Sequence, residues 1–325
     1  MFKPFRRLTL AAAAVALACG VSTSLAQTGS WPSRPLKMVV GFPAGSSPDL
    51  TARLLAEPLS QALGQPVIVE NKTGAGGNIG ADAVARATDD HTIGLMINGN
   101  LTIAKILNPA TTYDPLKDLQ PVSLIAVSPL VLAAPAGAPV GKAFFDQAKA
   151  QGGQLNYGTP GVGTVAHLGM ELLKAKAGIA PVHVPYPGNP QVITALIGGQ
   201  IQMALLPPGL AMPQVQGGKL RAIGVTSTGR SPVVPEVASL ADAGVQGLQL
   251  EIWNAVAAPV GMPKAHVLKL AALLAEIVRR PEIRQKILQQ GWQVAGTSPE
   301  GLARRIALDT AAMSEVIQKN SIKPN

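Results

Sequence analysis

Cysteine is almost missing from this chain, with Cys19 the one example in 325 residues. That residue lies in a stretch read below as a leader, so the remainder has no disulfide, no thiolate nucleophile and no cysteine-based metal site. Aromatic residues reach only 3 % and charged residues only 14 %. The lysines and arginines are scattered, without the concentrated basic face that nucleic-acid binders need, so no nucleic-acid partner is expected. Histidine is scarce too: His91, His167, His183 and His266 are the four, and they do not form a ligand set. There is no H-E-x-x-H, no G-x-S-x-G and no phosphate-binding P-loop, which leaves metalloprotease, serine-hydrolase and nucleotide chemistry without a motif. No metal and no cofactor are expected.

What is present begins with an export signal. Lys3, Arg6 and Arg7 form a basic start, Leu8 to Cys19 is an apolar run, and Ser24-Leu25-Ala26 places small residues where a signal peptidase reads. The run spans 12 residues, too few for a bilayer that needs ~20. Residues 1–26 are therefore read as a secretory signal cleaved after Ala26, placing the mature protein in the periplasm. Cleavage before Cys19 with lipid anchoring is the competing reading, disfavoured because Ala16-Leu17-Ala18 lacks a large aliphatic residue at its first position. Formal net charge is +9 for the whole chain and +6 without the leader. A mildly positive surface of this kind helps to attract anionic solutes. The 299 residues that follow Ala26 are enough for one large core or two.

From Leu36 onward short β-branched or apolar runs alternate with helical patterns, the signature of an α/β fold with parallel strands and right-handed crossovers. Leu36–Val40, Val67–Val69 and Thr92–Ile97 read as strands. A helix begins at Ser47-Pro48-Asp49, with the Ser47 hydroxyl as cap and proline in the first turn, and another covers Ala81–Ala87. A second set follows: strands at Leu155–Tyr157, Val182–Val184, Ile201–Leu206 and Leu220–Thr226, and a helix over Val165–Ala177. The tail from about Lys264 is mostly helical. Two uninterrupted apolar runs, Val122–Ala134 and Ile252–Ala258, bracket the second set and read as strands crossing between lobes. The expected division is 27–124 and 254–325 for the first lobe and 125–253 for an inserted second lobe, with a cleft between. One continuous α/β sheet is the alternative.

Four loops can hold a ligand, and none contains a strong acid–base pair. Pro43, Ala44, Gly45, Ser46 and Ser47 precede a helix, so free backbone N–H groups, hydroxyls and the positive end of the helix dipole suit a carboxylate. Gly158 to Thr164 has the same character, with Thr159, Gly163 and Thr164 as the contacts. Ordinary turn chemistry explains glycine and serine at either position equally well; a facing pair favours the anion. Gly74 to Gly80 fails as a dinucleotide fingerprint, because the third glycine of G-x-G-x-x-G falls on Ile79. His167, early in the helix after the second loop, either stabilises that loop or touches a ligand. A periplasmic hydrolase using Ser46 or His167 would lack a base and a group to orient it.

Many ordered short matches accompany these loops: Trp31-Pro32-x-Arg34-Pro35, Phe42-Pro43-Ala44-Gly45 with Asp49, Val69-Glu70-Asn71-Lys72, Tyr113-Asp114-Pro115, Tyr157-Gly158-Thr159, His183-Val184-Pro185-Tyr186 and Val225-Thr226-Ser227. In these the chain resembles the substrate-binding receptors of tripartite tricarboxylate transporters, the Bug (Bordetella uptake gene) family. The resemblance implies a two-lobed periplasmic-binding-protein fold of type II-like, Venus-flytrap form, hinged on two crossing strands. It implies a monomeric receptor, not an enzyme, for a small carboxylate, working with membrane permease subunits or, equally consistent with a closed form, a sensor kinase. It places ligand contacts at Pro43 to Ser47, at Thr159, Gly163, Thr164 and His167, and along loops containing Asn98, Asn100 and Tyr186. The sequence departs from the family at Pro187, often lysine, and at Gln202 and Leu206, often acidic. With the apolar stretch Leu205-Leu206-Pro207-Pro208 this favours a carboxylate with an uncharged or apolar body over an acidic amino acid.

Overall fold

Strand β1 (Leu36–Val40) runs parallel between β2 (Val67–Asn71) and β3 (Thr92–Ile97), and both connections carry a helix, α1 (Ser47–Leu63) and α2 (Asn78–Ala85). The protein is described as a computed structural model over residues 31–320 and 322. The leader, its cleavage site and Cys19 lie outside the described residues. Short helices α3 (Asn98–Leu101) and α4 (Ala104–Leu107) follow β3. Glycine lets α2 lie directly on the loop after β1, since a Cβ on Gly80 would stand 2.6 Å from the Gly41 Cα.

The first sheet is completed by strands from elsewhere in the chain. Its order is β2-β1-β3-β10-β4-β11, with β4 at Leu119–Pro129, β10 at Glu251–Pro259 and β11 at Gln293–Val294. Here the sequence expectation of a parallel sheet is corrected: β10 is antiparallel to both β3 and β4, and β11 is antiparallel to β4. Two strands that carry the chain out of a sheet and back into it must point opposite ways.

The second sheet, β7-β6-β8-β5-β9, uses β5 (Val131–Pro135), β6 (Asn156–Thr159), β7 (Val182–Pro185), β8 (Met203–Leu206) and β9 (Leu220–Val225). It too is mixed, because β5 is antiparallel to β8 and β9. Helices α5 (Lys142–Gln151), α6 (Val165–Ala177), α7 (Asn189–Ile197) and α8 (Pro208–Gln216) surround it. Alternation along the strands splits its residues between two cores: Leu132, Met203 and Leu205 pack with Leu168 and Leu173 of α6, whereas Val131, Ala133, Ala204 and Leu206 pack with Val192 of α7 and Ala211 of α8.

The apolar run Val122–Ala134 is two strands, not one, and it changes sheet at Leu130. The return passage lies in 226–250, not in the run Ile252–Ala258 expected to cross, which belongs wholly to β10 of the first sheet. Thr226, fully buried, joins the two passages. Its hydroxyl accepts from the Leu130 N–H at 2.9 Å and donates to the Leu250 carbonyl at 2.7 Å, while its backbone N–H and carbonyl bond Leu130 and Leu250 as well. The tail forms α9 (Lys264–Ile277), α10 (Pro281–Gln289) and α11 (Pro299–Lys319). Helix α11 starts in the core of the first sheet through Leu302 and Ile306 and ends in that of the second through Met313 and Ile317.

Thr226→Val keeps the side-chain shape but leaves the Leu130 N–H and Leu250 carbonyl without their hydroxyl partner. The expected loss is about 2–6 kcal/mol, from roughly 1–3 for each of the two buried groups left unpaired. Urea denaturation measures it, and a shift of the midpoint no larger than that of a surface substitution would contradict the joint.

Candidate functional site

Helix α1 begins one residue earlier in function than the sequence suggests. Ser46, in extended conformation, is the N-cap, and its hydroxyl donates to the Pro43 carbonyl at 2.6 Å rather than capping the helix. Ser47 is the first helical residue, and its hydroxyl is buried without a protein partner. The loop's N–H groups are not free as expected: Gly45 donates to Asp49 at 2.9 Å and Ser46 to the Pro43 carbonyl at 3.1 Å. Asp49 is the organiser. Its carboxylate also accepts from Arg53 at 3.0 Å and from the Asn71 amide at 2.8 Å, and that amide reaches the Phe42 carbonyl too. Burial works against the Asp49 charge, but bonds from Arg53, Asn71 and Gly45 outweigh it and hold the pKa below the ordinary 3.8. The positive end of α1 therefore already has its own carboxylate.

Helix α6 is different, with no acid in its first turn. Thr164 is its N-cap, accepting from the His167 N–H at 3.3 Å and donating to the Gly161 carbonyl at 2.8 Å. The first N–H groups of a helix have no intrahelical acceptor. With His167 served by Thr164, those of Val165 and Ala166 remain.

Both helix starts face one cavity of about 40 Å³ between the sheets. Phe42, Ser47, Pro48, Ile97, Asn254 and Trp292 line it from the first lobe. Pro160, Thr164, Val165, Ala166, Asn189, Leu205 and Pro207 line it from the second, with Leu130 at the crossing and Ile252 on β10. No lining residue is ionisable. The lobes meet around this space with backbone against backbone, which is a closed arrangement. A Cβ on Gly76 would stand 2.4 Å from the Val162 carbonyl oxygen, one on Gly99 2.6 Å from that of Gly163, and one on Gly188 2.7 Å from the Pro43 ring.

Of the residues expected at the site, Ser47 and Thr164 line the cavity. Ala44 and Gly45 face solvent, while Pro43 abuts Gly188 and Ser46 is turned into its own loop. Asn98 is buried beside the cavity wall, its amide donating to the Glu251 carbonyl at 3.0 Å. Asn100 fastens the glycine loop, donating to the Gly76 carbonyl and the Asn78 side chain. Gly163 makes a contact between lobes. Tyr186 packs with the Val192 core, and its N–H bonds the Thr159 carbonyl. Gln202, read as a departure in the ligand wall, bonds the Asn156 N–H and the Gly199 carbonyl instead. Leu206 also points into the far core, because the pleat that turns Leu205 toward the cavity turns its neighbour away.

Thr159 and His167 belong to a polar stack behind α6. The Thr159 hydroxyl lies 2.7 Å from His183 Nε2. His183 is sandwiched between Tyr157 and His167, with ring centroids at 4.8 and 4.4 Å. Tyr157 donates to Glu171, which also pairs with Lys174. Sequence reasoning did not name Phe42 or Asn189 as contacts, and it passed over Asn254 and Trp292 altogether. A lone amide inside the apolar run Ile252–Ala258 was the readable signal for Asn254; Trp292 arrives from the distant tail and carried none.

Burial, reinforced by the charge of His167, pushes the His183 pKa from 6.5 down to about 4, and burial lowers that of His167 as well. Folding therefore favours neutral rings: stability is full above 6.5 and is lost as pH falls toward 4. In calorimetry between pH 7 and 4, the Tm of His167→Gln/His183→Gln should fall less steeply than that of the unsubstituted protein. Parallel curves would contradict this.

Comparison with known proteins gives a consistent picture. A family model described as "Tripartite tricarboxylate transporter family receptor" matches residues 51–322. A protein encoded in the tcbD-tcbE intergenic region of Pseudomonas sp. (strain P51) is 34 % identical over 324 residues, 98 % of this chain and 96 % of its own. Among solved structures, periplasmic binding protein BugD is 31 % identical with a TM-score of 0.85, covering 90 % of this chain and 99 % of its own. MatC from Rhodopseudomonas palustris, solved with bound malate, is 30 % identical with a TM-score of 0.84, covering 88 % and 100 %. A second R. palustris protein, solved with adipate, is 29 % identical with a TM-score of 0.86, covering 91 % and 100 %.

Proposed function

The chain is a member of the tripartite tricarboxylate transporter receptor family, and we propose that it is a periplasmic receptor that captures one small carboxylate between its lobes and passes it to the membrane permease subunits of such a transporter. The observation that carries this reading is the start of α6, where Val165 and Ala166 face the interlobe cavity with no acid in the first turn. Helix N–H groups and the helix dipole stabilise an anion without a formal countercharge. The relatives solved with malate and adipate support a carboxylate as the ligand.

The lobes are taken as 27–124 with 254–325, and 125–253. Sheet membership favours exchange at Leu130 and within 226–250, with the end of α11 laid over the second lobe. The interlocked glycines describe the closed state, so entry requires rotation about the Thr226 joint. Capture without turnover is the expected chemistry, since the lining hydroxyls of Ser47 and Thr164 have no ionisable group beside them in the cavity wall. For the same reason aspartate and glutamate, whose ammonium group would find no acid in the wall, should bind less well than acids with uncharged bodies.

Val165→Pro is the direct test, because proline is tolerated at the first helical position and removes the N–H, with Val165→Ala, which keeps it, as the control for the buried side chain. The preceding Thr164 already has the extended conformation that proline requires, with φ −81° and ψ 155°. Calorimetric titration with malate, adipate and glutamate should show the best acid losing at least about tenfold in affinity, the worth of one hydrogen bond to a charged group. Unchanged affinity would remove α6 from the site. Thr164→Val should weaken binding similarly, and it should also cost about 1 kcal/mol of unliganded stability because a helix cap is lost. A ligand at ~100 times its Kd should stabilise the unsubstituted protein by about 2.7 kcal/mol.

A further inference from the structure

The first-lobe wall of the cavity has a polarity that hydrogen-bond direction fixes. The Thr51 hydroxyl donates its one hydrogen to the Ser47 carbonyl at 3.1 Å. It can therefore only accept from Asn254, whose side chain lies 2.9 Å away, so the amide nitrogen of Asn254 must face Thr51. The Asn254 oxygen is then left without a protein partner, on a fully buried residue that lines the cavity. Asn98 obeys the same logic. Its amide nitrogen faces the Glu251 carbonyl, which only accepts, and its oxygen is likewise buried and unpartnered. The Ser47 hydroxyl, on a residue only 6 % exposed, is the second unpartnered group in the cavity wall itself, with Asn98 beside that wall.

From this constellation we infer that Asn254, held in orientation by Thr51, selects a carboxylate that also carries a neutral hydrogen-bond donor, a hydroxycarboxylate. This rests on the receptor reading above and names its ligand class more narrowly. The carboxylate goes to the N–H groups of α6. A second carboxylate against the first-lobe wall would set acceptor against acceptor, whereas a hydroxyl donates to the Asn254 oxygen and accepts from Ser47. An ammonium could donate too, but it would bring its charge into a wall without an ionisable side chain. A buried acceptor left unpaired in the complex costs affinity, so the donor discriminates strongly between otherwise similar acids. Asn254 is the specificity residue, and Thr51, which does not line the cavity, positions it.

The test titrates the full chain with matched pairs, malate against succinate and lactate against propionate, by calorimetry. In the unsubstituted protein the better-bound pair should favour the hydroxy acid by about tenfold. Thr51→Val releases the amide to turn over and present its nitrogen, so that preference should collapse to within about threefold while the deoxy acid keeps or gains affinity; Asn254→Val should abolish the preference as well. A merely structural role for Thr51 would weaken both members of a pair alike, and that result overturns the assignment. Equal affinities within each pair in the unsubstituted protein, as a bound water donating to Asn254 would produce, also overturn it and leave the carboxylate receptor standing. Binding of none of these acids, nor of adipate, would overturn both readings.

Discussion

Asp49 is the constraint on which the arrangement of the site depends. A carboxylate buried at the third position of α1 has to be compensated, and it draws in the Gly45 N–H, the Arg53 guanidinium and the Asn71 amide. Those bonds fold the loop after β1 back on itself, tie it to the end of β2, and occupy the positive end of the helix. The two helix starts that meet at the cavity are thereby made unequal. The first brings its own negative charge with it, and the second, α6, is free to take one from a ligand. On the proposed reading an anion between them would be held mostly by the second lobe, while the first contributes shape and a set of hydrogen-bonding groups of fixed direction.

Closure then depends on how closely two backbones can approach. Across the cleft Gly76 meets the Val162 carbonyl, Gly99 meets that of Gly163, and Gly188 meets the Pro43 ring, at separations that leave no room for a side chain. The two crossing segments are joined separately at Thr226, where one hydroxyl serves both. On the proposed reading, rotation about that joint would make or break the glycine contacts together and so couple sealing of the cavity to alignment of α1 and α6. Helix α11, rooted in one core and ending in the other, lies over both lobes and adds apolar packing that such rotation must accommodate.

Much of the architecture was legible beforehand because it follows local rules. The boundaries of β1 and of α6 agree with the sequence reading to the residue, since β-branched runs and a threonine-capped helical period declare themselves. Sheet polarity was not legible. Antiparallel β10 and β5 look like any apolar run, and direction is a property of pairings between segments distant in the chain. Of the residues expected at the site, Ser47 and Thr164 reach the cavity wall because a helix start announces itself through its turn chemistry, although the cap of α1 is Ser46 and not Ser47. Thr159 and Asn100 carried the same polar appearance, yet their hydrogen bonds are spent on His183 and on the Gly76 loop.

The amino-acid sequence alone determined the alternation of strands and helices, the positions of the helix starts and the family likeness. Each of these is encoded by neighbours within a few residues of one another or by ordered short motifs. Tertiary structure alone decided which polar groups remain unsatisfied. Asn254 acquires its meaning from Thr51, about two hundred residues earlier, and the cavity wall from Trp292 in the tail. A hydrogen bond is a relation between two groups brought together by folding, so the direction in which an amide presents its oxygen cannot be read from the amide's own position in the chain.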